Sequence, residues 1–245
     1  MKEARYFFVP HASSETELPL EETMHALRVL RLKAGDEMYL MDGEGCFYLA
    51  EVTLAATKRC LYTIVKKLPQ NKPWRGRIHI AMGPTKMMER VEWFVEKATE
   101  IGVDEFSFIN SVFSERKVLR TARLDKIVVS AVKQSRKAWK PVVNPIVSLK
   151  EFLGQHQQGH RFIAHCYEEI PREDFFEVVM NQEVSNADDD IIVPIGPEGD
   201  FSIDEVKLAI DSGYRSVSLG KSRLRTETAA LSVAMMAQLA RRNEK

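Results

Sequence analysis

The chain has 245 residues, 44% of them hydrophobic and 29% charged, with 35 Lys/Arg against 35 Asp/Glu. This is the balance of a globular protein with room for one large domain or two modest ones, and no apolar run approaches a membrane span or a signal-peptide core. Three cysteines, Cys46, Cys60 and Cys166, form no C-x-x-C pair, and six scattered histidines show no metal-ligand spacing, so reduced thiols, a cytoplasmic location and no metal are expected.

The first 70 residues read as mostly β. Arg5–Val9 fits a strand, and a short helix fits around Glu21–Leu30. Glu37–Met41 and Cys46–Val52 flank D-G-E-G, a hairpin signal, and Leu61–Val65 is a further strand. Together they suggest a small barrel over residues 1–70. The stretch L-P-Q-N-K-P-W-R-G-R at 68–77 is polar and turn-rich, so residues 71–77 read as a linker.

From residue 78 to 245, strand and helix patterns alternate. Ile78–Met82 is a strand. Met88–Ile101 is a helix with Val91, Phe94, Val95, Ala98 and Ile101 on one face and Gly102 as its stop. Glu105–Ile109 and Phe162–His165 are further strands. The repeated order predicts an α/β domain with a largely parallel sheet. Asn181–Asp190 is an acidic loop to which no chemistry is assigned.

Zero net charge conceals an asymmetry. Residues 71–150 carry 16 Lys/Arg against 8 Asp/Glu, while residues 151–245 carry 10 against 17. Between Arg116 and Lys140 stand nine basic residues and one acid, Asp125. On a helix over Thr121–Ala138, Leu124, Ile127, Val128, Ala131, Val132 and Ser135 share one face, and Arg123, Lys126, Lys133 and Lys137 fall opposite. A charge run is usually a solvated face. Such faces ordinarily mix signs, however, so this one reads as a nucleic-acid surface. Lys86 and Arg116 belong to the same set, and Arg5, Arg28 and Arg31 extend it from the small domain.

The most informative features are two glycine-bearing loops. Ile191–Val193 feeds I-G-P-E-G-D-F-S at Ile195–Ser202, and Ser216–Leu219 feeds L-G-K-S-R-L-R-T-E-T-A-A at Leu219–Ala230. Two strand-to-helix loops at this spacing can lie side by side at one edge of a parallel sheet, where backbone freed by glycine can hold a nucleotide-like ligand. Ser202 and Glu205 form a capping box with Phe201 as its staple, and Gly213 suits the C-terminal cap of the helix they start. An ordinary βα turn accounts for the first loop equally well. Neither G-x-G-x-x-G nor G-x-x-x-x-G-K-[ST] occurs, which disfavours a dinucleotide-dependent oxidoreductase or a P-loop enzyme.

With both loops in view, the chain resembles the SPOUT-class methyltransferases, and within them the bacterial 16S rRNA (uridine 1498 N3)-methyltransferase family, RsmE. Arg5-Tyr6-Phe7-Phe8, His25 with Val29-Leu30-Arg31, Gly35-Asp36, Lys86 before E-W-F-V-E-K-A-T-E-I-G-V, Ser114-Glu115-Arg116 and Gln134-Ser135 carry the likeness through nearly the whole chain. One departure is Lys133 before Gln134 and Arg136-Lys137 after it, where many relatives have an acid before and S-G-R-like residues after. The resemblance implies a PUA-like RNA-binding barrel followed by a SPOUT domain with a C-terminal trefoil knot. Nothing local in the sequence encodes a knot, and base rates run against one.

The resemblance further implies S-adenosylmethionine as cofactor and 16S rRNA or the small ribosomal subunit as partner. It places the cofactor against the loop after Phe162–His165 and against Ile195, Gly196, Gly199, Leu219, Gly220, Leu224, Arg225, Thr228 and Ala229. Uridine N3 must lose a proton to be methylated, so a cationic neighbour helps; Arg225 is the candidate, with a salt bridge to an acid such as Glu198 as the plain alternative. Glu227 reads either as a functional carboxylate or as a first-turn acid on its helix dipole, and Glu198 as either a functional group or a loop cap. No residue announces itself as general base. The helix expected at Thr226–Arg242 is apolar nearly all round and must bury more than one face. Its second partner is either internal or a twofold-related subunit; SPOUT relatives dimerise here, so a homodimer is expected. The rival readings are a SPOUT enzyme with another RNA target, such as a tRNA ribose, and a non-catalytic RNA-binding ribosome-assembly protein.

Overall fold

The computed structural model describes residues 5–242; the expected domain ends at 1–4 and 243–245 lie outside them. The chain forms two compact units. The first comprises residues up to Lys72 together with Val132–Lys140, and the second comprises Pro73–Ala131 and Pro141 onward.

In the first unit, strand β1 (Tyr6–Phe8) and helix α1 (Leu20–Met24), continued by a π-turn over His25–Val29, precede β2 (Glu37–Met41), β3 (Cys46–Ala56) and β4 (Arg59–Pro69). The sheet order is β1-β2-β3-β4, with β1 parallel to β2 and the other pairs antiparallel. Alternation drives its burial. Cys46, Tyr48, Ala50 and Val52 of β3 turn inward and join Phe7, Met38, Leu40, Cys60 and Tyr62 in one core. β3 and β4 run longer than the sequence suggests, with two register shifts along β3. Such shifts bend a long strand.

In the second unit, β5 (Ile78–Met82) leads to α2 (Met88–Ile101), β6 (Glu105–Asn110), α3 (Thr121–Ser135, whose residues from Val132 on belong to the first unit), β7 (Val142–Ser148) and α4 (Leu149–Gln155). β8 (His160–Ala164), the short β9 (Glu173–Asp174), α5 (Phe175–Met180) and α6 (Gln182–Ser185) follow. β10 (Ile191–Ile195), α7 (Ile203–Asp211), β11 (Arg215–Ser218) and α8 (Thr226–Arg241) complete it. Seven parallel strands lie in the order β7-β6-β5-β10-β8-β11-β9. β5 and β10 are buried at every position and read as continuous apolar runs, as central parallel strands do. Gly102 ends α2 with φ of 125°, and Ser202 with Glu205 forms the capping box of α7, both as expected.

Two expectations are corrected. Residues 71–77 are not a free linker: Trp74 is buried, its indole N–H donates to Asp104 at 2.9 Å, and Arg75 N–H donates to Arg241 O at 2.9 Å. The reason is an aromatic side chain with an indole donor, which the polar neighbours obscure. The segment Val132–Lys140 is not part of a contiguous second domain either. It joins the first unit, where Lys133 bonds Glu22 at 2.6 and 2.8 Å, Arg136 lies over the Tyr6 ring, and Lys140 N–H donates to Gly43 O at 2.9 Å. β7, α4, α5 and α6 were not anticipated; Pro145 and mixed burial in β7 mask its strand pattern. Among the described residues no helix is long and apolar enough to cross a membrane.

Candidate functional site

Three neighbouring strands, β10, β8 and β11, run parallel, so their carboxyl ends emerge at one edge of the larger sheet. The two glycine loops therefore do not touch as immediate neighbours. β8 lies between their strands, and its own following loop becomes the third wall. A cavity of about 400 Å³ opens where the three loops meet. Its size falls within the range of small-molecule sites, about 300–1,000 Å³.

Of the residues expected around a cofactor, Ile195, Gly196, Leu219, Gly220, Leu224, Arg225 and Ala229 line this cavity. Gly199 and Thr228 do not. Gly199 packs against Phe113, whose Cβ would lie 2.9 Å from an added Cβ, and Thr228 sits exposed on α8.

The two lining glycines serve different ends. A Cβ on Gly196 would lie 2.8–2.9 Å from the backbone of Asp200 and Phe201, so this glycine closes the loop on itself. Gly220 has φ of 107° and open space where a Cβ would project. Its amide already donates to Ser218 Oγ at 3.2 Å, so what it offers is a left-handed backbone beside an open cavity.

Hydrogen bonds fix the walls. Asp200, at φ of 66°, accepts from Phe201 N–H at 2.7 Å and from Cys166 N–H at 2.8 Å, which ties the first glycine loop to the loop after β8. His165 accepts from Tyr167 N–H through Nδ1 at 3.2 Å, so its proton sits on Nε2, which lies 2.8 Å from Ser216 Oγ. Burial lowers the pKa of this imidazole. With both nitrogens engaged, His165 is a structural post and not a free base. Glu198 accepts from Lys86 N–H at 2.9 Å, the loop-cap reading.

The charged groups divide clearly. Among the described residues Arg225 has no ion pair within 4.0 Å and lines the cavity exposed, so the plain alternative of a bridge to Glu198 is not formed. Arg90, from α2, also lines the cavity. Its Nε lies 3.6 Å from Glu227 Oε1, while Glu227 is buried and its Oε2 has no hydrogen-bond partner. Arg90, Arg172, Cys166 and Asp200 were missed as lining residues. Asp200 stands inside the glycine motif and could have been found there; Arg90 carries no local signal.

The basic residues meet acids from other elements. In the larger unit Arg123 pairs with Glu92 of α2, its Nη2 at 2.9 Å, and Lys126 is exposed. Lys86 Nζ lies 3.1 Å from Glu115, and Arg116 donates to the carbonyls of Thr85 and Lys86 at 3.2 and 2.6 Å. In the smaller unit Lys133 bonds Glu22, Arg5 lies 3.8 Å from Asp36, and burial lowers the Lys137 pKa. Arg28 and Arg31 are exposed, and Arg31 has φ of 53°. The near-absence of acids along 116–140 is thus offset in space for Arg123 and Lys133.

Comparison with known proteins gives a consistent result. Residues 72–238 match an RNA methyltransferase domain, and residues 19–65 match an RNA methyltransferase PUA domain. The ribosomal RNA small subunit methyltransferase E of Rickettsia conorii is 26% identical over 230 residues, 93% of this chain and 91% of that protein. Its namesake from Aquifex aeolicus is 29% identical over 210 residues, 84% and 86% of the two chains. Among solved structures, a probable rRNA-methyltransferase from Porphyromonas gingivalis is 39% identical with a TM-score of 0.87, covering 97% of this chain and 98% of its own. The ribosomal RNA small subunit methyltransferase E of Neisseria gonorrhoeae, solved bound to S-adenosyl methionine, is 27% identical with a TM-score of 0.78 and the same coverage.

Proposed function

The chain belongs to the RNA methyltransferase family that includes the ribosomal RNA small subunit methyltransferases E, and from that premise we propose that it methylates N3 of one uridine, uridine 1498, in 16S rRNA, using S-adenosylmethionine. The observation that carries this reading is the cavity at the carboxyl edge of β10, β8 and β11. Its lining is of the right chemistry for such a cofactor. Ile195, Leu219, Leu224 and Ala229 supply apolar surface for a purine, and Gly220 leaves the backbone bare beside open space. When bound, the cofactor supplies a sulfonium methyl group as electrophile.

The chain's own residues then have three tasks. The apolar side chains orient the adenosine, and the Asp200 bridge between loops holds the wall against which it packs. Arg225 and Arg90 face the cavity with positive charge, which stabilises a uracil imide as its N3 proton leaves. Glu227 holds Arg90 from behind, because a buried carboxylate with an unfilled oxygen draws a guanidinium towards it. RNA is held chiefly through phosphates by the exposed Arg28, Arg31 and Lys126, while Arg5, Lys86, Arg116, Arg123, Lys133 and Lys137, already engaged within the protein or partly buried, contribute less, and selection of the base follows from a nucleotide exposed at the cavity.

The same reading includes a homodimer. α8 buries Ala230, Val233, Ala234 and Ala237 within its own unit, but leaves Met235 45% and Leu239 41% exposed, with Leu231 half-buried beside them. This apolar stripe at helical spacing suits a second helix.

The test is genetic. Nucleosides of 16S rRNA from cells lacking this chain should lack 3-methyluridine by mass spectrometry, and complementation should restore it. Unchanged 3-methyluridine in the deleted strain would refute the assignment.

A further inference from the structure

At the opposite, amino-terminal edge of the larger sheet lies a second cluster that the methyl-transfer chemistry does not use. His79 is the second residue of β5, Glu105 is the first of β6, and the two are direct register partners. His156 stands at the C-terminal cap of α4. One potential ligand atom from each of these three side chains lies within 4.8 Å of the other two, and His79 Nε2 is 3.8 Å from Glu105 Oε1.

The surrounding hydrogen bonds orient the three side chains. His156 Nδ1 lies 2.9 Å from Phe152 O, a carbonyl that can only accept, so Nδ1 donates there and Nε2 is the nitrogen left for a ligand. Ser107 Oγ accepts from Asn144 Nδ2 at 3.0 Å and lies 2.8 Å from His79 Nε2. That bond holds the His79 ring in place beside Glu105. His79 is only 2% exposed. Glu105 is held in place by Arg77 on Oε2 and by Asn144 at 2.6 Å on Oε1.

We infer that His79, Glu105 and His156 form a binding site for one divalent transition-metal ion of the imidazole-preferring kind, typified by Zn2+. Two imidazoles and one carboxylate are an established donor set for such ions. The supporting bonds are those that metal ligands use: a backbone carbonyl on the far nitrogen of His156, and an amide and a guanidinium on the carboxylate. Ligand atoms around tetrahedral zinc stand roughly 3.4 Å apart, so the cluster must close by about 1.4 Å. His156 is half-buried at a helix end and can supply that movement. A bound ion would pin α4 to β5 and β6. The site is independent of the methyl-transfer reading, whose loops leave the other edge of the sheet.

The test uses the full-length protein freed of metal with a chelator and titrated with Co2+, then Zn2+. One equivalent of Co2+ should bind with the visible bands of a low-coordinate site and without a thiolate charge-transfer band. Zn2+ should displace it and raise the melting temperature. His156→Ala, with folding checked by circular dichroism, should weaken binding by more than the roughly 10–100-fold that follows loss of a ligand's supporting partner. Glu105→Gln should do the same. The inference is overturned by absence of a stoichiometric site in the wild type, by thiolate bands, or by wild-type affinity in a folded His156→Ala variant. Any of these would make the cluster a hydrogen-bonded network only.

Discussion

Gly220→Ala separates backbone strain from steric blockade. Among the described residues no atom lies within 4 Å of a Cβ at this position, so alanine meets no wall, but the φ of 107° is one that L-residues rarely adopt. Holding alanine there costs about 1–3 kcal/mol. That energy has two outlets. If the loop keeps its shape, the folded state loses it, and the melting temperature falls by about 2–4 °C per kcal/mol for a unit of this size. If the loop relaxes, stability is kept but the competent loop becomes rare, and cofactor binding weakens by roughly 5–150-fold. Calorimetry with S-adenosylmethionine and thermal melts on one preparation read both outlets, and the two losses together should come to about 1–3 kcal/mol. Gly196→Ala is the contrast. Its Cβ would meet Asp200 and Phe201 backbone at 2.8–2.9 Å, so the loop must be rebuilt and binding should fall further than in Gly220→Ala. A Gly220→Ala protein with both wild-type affinity and wild-type stability would refute the reasoning.

Other expectations follow from the same geometry. Ser202→Ala removes the α7 capping box and should cost about 1 kcal/mol, read in a denaturant titration. Replacing both Arg28 and Arg31 with alanine should flatten the salt dependence of RNA binding by about 0.7–0.9 log units per lost phosphate contact; Arg123→Ala should do less, since Glu92 already competes for it. Met235→Glu with Leu239→Glu should yield a monomer by light scattering, with activity lost, if the α8 stripe is the subunit contact. His165 is held neutral with a lowered pKa, so its contribution to stability is complete above the ordinary 6.5 and is lost as pH falls towards the folded value. Between pH 7 and pH 5 the wild type should therefore lose more melting temperature than His165→Gln.

What the sequence made legible was local. The capping box at Ser202, the stop at Gly102, the central strands Ile78–Met82 and Ile191–Ile195, and the glycine loops all announce themselves within a few residues, because each obeys short-range geometry. What it hid was long-range. Arg90 reaches the cavity from α2, and Glu92 and Glu22 neutralise parts of the basic run from elements far along the chain. His79 and His156 show no ligand spacing in sequence and meet only because the fold sets the end of α4 beside the start of β5. Trp74 misled for the opposite reason: polar neighbours outweighed one buried indole. A knot, implied here by resemblance alone, is a property of the whole path that no segment encodes.

The most direct test of the central claim is methyl transfer with purified components. Small ribosomal subunits from cells lacking this chain are incubated with the protein and S-adenosylmethionine carrying a labelled methyl group, and the rRNA is digested and its nucleosides resolved by mass spectrometry. The account predicts label in 3-methyluridine alone, at one position of 16S rRNA, and its loss when Arg225 and Arg90 are both replaced with alanine. Label in another nucleoside, or no transfer by folded protein that binds the cofactor, would contradict it.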